Sequence, residues 1–237
     1  DLMRAIALRM SERKAEIAEI VALETGKSRA EALGETQAAI EMGFFVAGEG
    51  RRYYGKTTTA SMAHRTVMTQ RMPLGIAGLV IASNTPIANV AWKAFPAMLC
   101  GNPAIMKPSE DTPATAWIFG EICEEAGLPP GVFNLVQGLG AEAGAPLVES
   151  PAVDIVSFTG SCQTGTVIQT AAGRRLAKVC MELGGKNALV VCDDADLDNA
   201  ERWVLASPFS NAGQRCAAAS RILVFDAIYD AFRERLV

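Results

Sequence analysis

The sequence predicts an α/β protein: a doubly wound parallel sheet with helices N-terminal to it, a β-hairpin arm, and the beginning of a second α/β unit. Three observations carry that prediction. From Gly75 onward, short apolar runs alternate with helical stretches across brief loops, which implies right-handed crossovers and a parallel sheet covered on both faces. Residues 1–54 instead space their apolar side chains at helical intervals. The length, 237 residues, exceeds one domain of about 150 by roughly half.

Each element has a local reason. Ile6, Met10, Ile17, Ile20 and Val21 recur at helical spacing among Arg, Glu and Lys. Gly26 punctuates, Ser28 is placed to cap, and Leu33, Ile40, Phe44 and Phe45 mark a second amphipathic stretch. Gly55-Lys56-Thr57-Thr58-Thr59 opens a polar, β-branched segment that ends near Pro73, with Thr66, Val67, Met68 and Thr69 fitting a strand. Lying between helices and a buried sheet, it reads as an exposed hairpin or arm. Strands follow at 76–82, 104–107, 132–136, 153–158 and 177–182. Helices run through Val90, Trp92 and Met98, through Trp117, Phe119 and Ile122, near 141–149, and near 164–173. Thr112-Pro113 reads as a cap and first turn for the second of these. Beyond Gly184-Gly185 a new unit begins, with a strand at 188–192, a helix after Asp196, a strand at 222–225 and a helix to Val237. The division is therefore 1–54 with 74–184, the arm 55–73, and 185–237 as the start of a second domain. Ile222, Val224 and Phe225 are expected to lack packing partners in so short a unit.

Composition narrows the function. Half the residues are hydrophobic and 20% charged, an ordinary globular balance. A net charge of −4 with no long basic run argues against nucleic acid or an anionic membrane as partner. The longest apolar stretch, 72–82, is too short to span a bilayer and contains Pro73, Gly75 and Gly78. No basic-then-apolar segment opens the chain. Six irregularly spaced cysteines, without a C-x-x-C pair, imply reduced thiols in a cytoplasmic or organellar-matrix protein. On composition alone each is expected to be a small buried hydrophobe. The single histidine, His64, excludes multi-histidine metal sites, and no metal is expected. The chemistry then rests on carboxylates, amides, lysines or a thiol.

Loops at the carboxyl ends of the strands are where a doubly wound sheet binds ligands. Gly138-Leu139-Gly140-Ala141-Glu142-Ala143-Gly144 approximates a dinucleotide fingerprint with one residue too many, and turn chemistry is the plainer reading. Phe158-Thr159-Gly160-Ser161 leaves a strand towards Gly165, but Thr166 stands where a phosphate loop needs lysine, which disfavours an ATPase or kinase. A phosphate can still sit on this helix N-terminus. Lys107-Pro108-Ser109-Glu110 suits a ribose, whose hydroxyls want a donor and an acceptor, but for this segment alone a solvated loop with a turn proline is the plainer reading. Glu182, in Glu182-Leu183-Gly184-Gly185-Lys186-Asn187, fits a base entering an interdomain cleft, or a cap, or a partner of Lys186. Cys216 follows Asn211-Ala212-Gly213-Gln214-Arg215, and Arg215 lowers its pKa only if the side chains converge.

Taken in order, Asn84 in Ser83-Asn84-Thr85-Pro86, Trp92-Lys93, Gly101-Asn102-Pro103, Lys107-Pro108-Ser109-Glu110, Phe158-Thr159-Gly160-Ser161, the Glu182 to Asn187 run and Gly213-Gln214-Arg215-Cys216 together resemble the aldehyde dehydrogenase superfamily. The resemblance covers essentially the whole chain and implies a Rossmann-like dinucleotide-binding domain. It implies that Cys216 is the nucleophile, that Asn84 and the Cys216 backbone N–H hold the oxyanion, and that Glu182 activates the hydrolytic water. It implies cofactor contacts from Lys107, Ser109 and Glu110 at the adenosine ribose, Gly160 and Ser161 at the pyrophosphate, and Trp92 and Gly184 in shaping the cleft. NAD is favoured and NADP possible, because a carboxylate at Glu110 accepts from a 2′-hydroxyl but repels a 2′-phosphate. The expected partners are an aldehyde substrate and further copies of the chain, as a homodimer or homotetramer built through the arm. Two departures stand out. Ala82-Ser83 precede Asn84 where the family commonly has Pro-Trp, and the family's later Glu-x-Phe-Gly-Pro motif lies beyond the last residue here. The second implies an incomplete catalytic domain, inactive by itself. An acylating relative that passes the thioester to coenzyme A, and a non-catalytic nucleotide-binding relative, are the alternatives. Glu182 argues against the first, and Cys216, Glu182 and Asn84 together argue against the second.

Overall fold

Where apolar side chains recur at helical spacing, helices form and bury them. A computed structural model describes residues 1–237, and in it α1 (Leu2–Glu12) and α2 (Lys14–Thr25) fully bury Ile6, Met10, Ile17 and Val21. α2 stops at Gly26, whose φ of 71° is the left-handed C-cap that glycine adopts without a Cβ penalty. α3 (Arg29–Glu49) starts from Ser28 in a capping box: Ser28 Oγ accepts the Glu31 N–H at 3.2 Å, and the Glu31 carboxylate accepts the Ser28 N–H at 3.4 Å. The buried face of α3 differs from expectation. Leu33, Phe44 and Phe45 are exposed, while Ala32, Thr36, Ala39, Ile40, Gly43 and Val46 are buried. Close approach is the reason: a Cβ at Gly43 would stand 2.7 Å from the Phe95 ring and 2.9 Å from Ala7 Cβ, so α3 meets its neighbours through small residues.

β1 (Thr57–Thr59) and β2 (Thr66–Met68) pair antiparallel as a hairpin whose strand residues are all exposed. The main sheet then begins with β3 (Ala77–Val80), α4 (Pro86–Leu99), β4 (Ala104–Lys107), α5 (Pro113–Glu125) and β5 (Phe133–Leu135). A π-helical turn at Gly140–Gly144 leads into α6 (Ala145–Glu149), followed by β6 (Ile155–Gly160), α7 (Cys162–Gly173) and β7 (Lys178–Leu183). The strand order is β5-β4-β3-β6-β7, with β3 parallel to both β4 and β6, and β4 parallel to β5. The chain steps outward from β3 to β5 and then returns to the other side of β3. Alternate side chains of β3 supply two cores: Leu79 packs with the faces of α1–α5, and Val80 packs with Val148, Val156, Phe158 and Ile168. Helices on both faces make the sheet doubly wound, as the alternating runs predict.

Two helix starts are capped from a distance. Thr112 does not cap α5, and its buried hydroxyl has no hydrogen-bond partner. The Glu24 carboxylate of α2 instead accepts the Ala114 N–H at 2.6 Å, the Thr115 N–H at 2.9 Å and the Thr115 hydroxyl at 2.5 Å. At α4, Glu35 of α3 accepts the Ile87 and Ala88 N–H groups at 3.0 and 3.3 Å.

The chain forms two compact units, Asp1–Glu182 and Leu183–Val237. The second contains β8 (Asn187–Val191), α8 (Leu197–Phe209), β9 (Ala219–Val224) and α9 (Tyr229–Leu236), with β8 parallel to β9. Asp196 caps α8 by accepting the Asp198 and Asn199 N–H groups. This unit has its own small core of Val191, Val204 and Phe232, against which Leu189, Ile222 and Val224 pack. The expectation that Ile222 and Val224 lack partners is therefore wrong, because α8 and α9 cover their face. Phe225 is 47% exposed, and Val190 and Leu223 on the other face are about as open. No helix is long and apolar enough to cross a membrane.

Candidate active site

Ligands of open α/β sheets bind outside the carboxyl ends of the strands, where the strand order reverses. Here that point lies between β3 and β6, next to the exit of β4. An apolar slot of about 560 Å³ opens there, lined among others by Val80, Ala141, Gly144, Val148, Thr164 and Ile168. The glycine-rich run at 138–144 thus walls a cleft as well as making a turn. Lys107 reaches the same wall, its Cδ lying 3.9 Å from where a Cβ on Gly144 would stand.

Lys107 ends β4 with its side chain almost wholly buried, and its ammonium pairs with the exposed Glu110 carboxylate at 3.0 Å. Glu110 is held below the usual carboxylate range, first by a hydrogen bond from its own backbone N–H and then by Lys107. An ionised acceptor and a cation thus sit together at one strand exit. Ser109, half-buried between them, has its hydroxyl within 3.5 Å of the Asp111 carboxylate. Ser161 caps α7: its Oγ accepts the Thr164 N–H at 3.1 Å and lies 3.0 Å from the Thr164 hydroxyl. Its hydroxyl is thereby engaged inside the helix start, so an anion there meets the helix N-terminus first. Gly160 has a packing reason, since a Cβ on it would stand 2.3 Å from the Phe158 ring.

Asn84 lies half-buried in the turn between β3 and α4, where its carbonyl accepts from Lys27 Nζ at 2.9 Å. Trp92, on α4, is 46% exposed and lines a second cavity of about 280 Å³ with Lys93, Cys100, Ser157 and Cys180. Lys93 is buried and donates to Ser157 Oγ at 2.8 Å. Burial pushes its pKa down, while charge on Cys180 and Glu182 pulls it partly back. Glu182, exposed on β7, is therefore within electrostatic reach of Lys93.

In the second unit, Cys216 is exposed in the turn before β9, and Gly184 is exposed before β8. Asn187 Nδ2 donates to the Cys216 carbonyl at 2.6 Å and to that of Ala218 at 3.4 Å, tying the cysteine turn to the start of β8. Upstream, Asn211 and Ala212 both hold positive φ, at 52° and 53°, a conformation that costs an L-residue about 1–2 kcal/mol. None of the six cysteines is in a disulfide. Composition predicts buried ones, but only Cys123 is buried; Cys162, Cys180, Cys192 and Cys216 are exposed and Cys100 is intermediate. The reason is position: Cys123 lies on the core face of α5, whereas the four exposed ones sit at a helix start, on an open strand face or in turns. Exposure alone does not single out Cys216.

The profile of the aldehyde dehydrogenase family matches residues 1–237. The chain belongs to that family. It is 42% identical over 238 residues to a chloroplastic aminoaldehyde dehydrogenase of Arabidopsis thaliana, covering 99% of this chain and 48% of that protein. Among solved structures, an NAD-dependent aldehyde dehydrogenase from Sinorhizobium meliloti superposes with a TM-score of 0.97 at 39% identity, covering 99% of this chain and 47% of that one. An NADP-dependent enzyme of Escherichia coli does so with a TM-score of 0.97 at 38% identity, covering 99% and 49%. The chain spans about half the length of the relatives it matches.

For an aldehyde dehydrogenase fold, the first unit gathers Asn84, Lys107, Ser109, Glu110, Gly160 and Ser161 around the exits of three neighbouring strands. Trp92 lines the second cavity, Glu182 acts electrostatically on Lys93 in its wall, and Cys216 and Gly184 belong to the second unit. Sequence reasoning assigned nothing to Lys27, Glu35, Lys93 or Asn187. Lys93 follows Trp92 and Asn187 ends the Glu182 to Asn187 run, so both carried that much signal; Lys27 and Glu35 carried none.

Proposed function

We propose that the protein to which this chain belongs oxidises an aldehyde to a carboxylic acid with NAD+ or NADP+, through a thioester on Cys216. The observation that carries the reading is the slot at the strand-order reversal, with ionised Glu110 and Lys107 at its edge, in a chain of the aldehyde dehydrogenase family. These residues fit a dinucleotide. The apolar slot suits a flat adenine ring, Glu110 and Lys107 offer a ribose an acceptor and a donor, and the start of α7 suits a pyrophosphate. NAD+ is favoured, because the Glu110 carboxylate repels a 2′-phosphate. Relatives that use NAD and NADP are both similar to this chain.

The roles of the reacting groups rest on the family motifs. Cys216 attacks the carbonyl carbon as a thiolate, and its sulfur later leaves as a good acyl leaving group. The negative oxygen formed by that attack accepts from the Asn84 amide and the Cys216 N–H; a comparable donor is worth about 3–4 kcal/mol. The bound cofactor would supply the hydride acceptor that converts the hemiacetal to a thioester. Glu182 takes a proton from the water that attacks the thioester, releasing acid and thiolate. Transfer to coenzyme A is the second reading, and the carboxylate at Glu182 argues for water. The exposed hairpin is proposed as the contact between copies in a homodimer or homotetramer, and its deletion from the full-length protein is expected to give monomers by sedimentation. Six cysteines without a disulfide suit a cytoplasmic or organellar-matrix compartment. The test of the reading is Cys216→Ala in the full-length protein. Aldehyde oxidation is expected to vanish while NAD+ binding persists; retained turnover overturns it.

A further inference from the structure

The turn that carries Asn84 is held from outside itself. Lys27 is wedged between the Gly26 C-cap of α2 and the Ser28 N-cap of α3, so its backbone is fixed on both sides. Its Nζ donates to the Asn84 carbonyl at 2.9 Å and pairs with Glu35 at 2.5 Å. The two side chains are only 3% and 6% exposed. Through its other oxygen Glu35 accepts the Ile87 and Ala88 N–H groups at 3.0 and 3.3 Å. The N-cap residue, Thr85, makes no side-chain cap of its own. One ion pair therefore grips the turn at two points, at the Asn84 carbonyl and at the first helical turn that follows. Asn89, buried on α4, adds a long contact from its Nδ2 to Asn84 Oδ1 at 3.5 Å, which ties the Asn84 amide itself to α4.

Stability alone does not account for such a pair. Two buried charges pay a desolvation penalty, and well-packed apolar residues of similar volume commonly serve stability as well or better. Apolar residues cannot fix a carbonyl and two amide N–H groups at set positions. We propose that Lys27 and Glu35 are positioning residues for the Asn84 amide, holding it at the geometry an oxyanion donor needs. This rests on Asn84 having that role. A displacement of about 1 Å at such a group costs on the order of a hundredfold in rate, so release of the turn is a kinetic event.

The experiment uses the full-length protein with propionaldehyde and NAD+, and places Lys27→Met in two backgrounds, wild type and Asn84→Ala. In wild type, kcat/KM is expected to fall about ten- to a hundredfold with NAD+ affinity changed less than about twofold. In Asn84→Ala the same substitution is expected to cost less than about threefold, because the group it positions is gone. Lys27→Arg, which keeps a cationic donor, is expected to recover part of the rate. An equal loss in both backgrounds, or no loss in wild type, overturns the positioning role while leaving Asn84 as donor. If Asn84→Ala itself leaves kcat/KM intact, the oxyanion reading fails and this one with it. Should Lys27→Met not fold, Glu35→Gln, which keeps an oxygen for the α4 amides, replaces it in both backgrounds and is judged by the same outcomes.

Discussion

Replacing Glu24 by alanine removes the acceptor for three donors at the start of α5: the N–H groups of Ala114 and Thr115 and the Thr115 hydroxyl. Ala114 is exposed, so water satisfies its N–H at little cost. Thr115 is fully buried, and both of its donors are left without partners. Each orphaned buried group costs about 1–3 kcal/mol, and the carboxylate's favourable interaction with the helix dipole adds about 0.5 kcal/mol. Partial relaxation lowers the sum, and a loss of about 3 kcal/mol is expected. Urea unfolding of the full-length protein, followed by circular dichroism, reads this as a lower midpoint at constant slope. Glu24→Gln keeps one oxygen and is expected to lose about half as much. Thr115→Val in the Glu24→Ala background deletes the orphaned hydroxyl and is expected to recover about 1 kcal/mol. A loss below about 0.5 kcal/mol for Glu24→Ala would refute the idea that α5 depends on a cap supplied by α2.

Two further outcomes follow from charge and burial. Glu110→Gln removes the repulsion of a 2′-phosphate and is expected to raise the ratio of kcat/KM for NADP+ over NAD+ by about tenfold or more; an unchanged ratio contradicts its place at the ribose. Burial pushes the Cys123 thiol up to about 12, so between roughly pH 9, where the unfolded thiol ionises, and pH 12 the native state holds a proton that the unfolded state has lost. That contribution is fully present below about pH 9 and falls as pH rises towards 12. The alkaline decline in unfolding midpoint is therefore expected to be shallower in Cys123→Ala than in wild type, and parallel curves would contradict it.

What the sequence makes legible is what its own neighbours decide. The Gly26 stop and the Ser28 cap act within a few residues, and both are found where the pattern puts them. The alternation from Gly75 gives the doubly wound sheet, since period and loop length are local properties. Thr112 fails as a cap because Glu24, about ninety residues away, takes the donors it was to satisfy. The face of α3 misleads for a related reason. Hydrophobicity ranks Leu33, Phe44 and Phe45 above Ala39 and Gly43, but the close approach to Phe95 and Ala7 rewards small size. At the candidate site, Lys107 and Glu110 are legible because a strand exit places them together. Lys27 is not, because its value lies in reaching the Asn84 carbonyl across 57 residues of chain.

The proposed acyl group on Cys216, released by water that Glu182 activates, can be trapped when that release is blocked. Glu182→Gln in the full-length protein, mixed with propionaldehyde and NAD+, is expected to show one rapid equivalent of NADH per active site followed by slow turnover. Peptide mass spectrometry of the stalled enzyme is expected to find the propionyl group on the peptide containing Cys216. Finding it on Cys162, Cys180 or Cys192, the other exposed thiols, or finding none with neither burst nor turnover, would overturn the proposed mechanism.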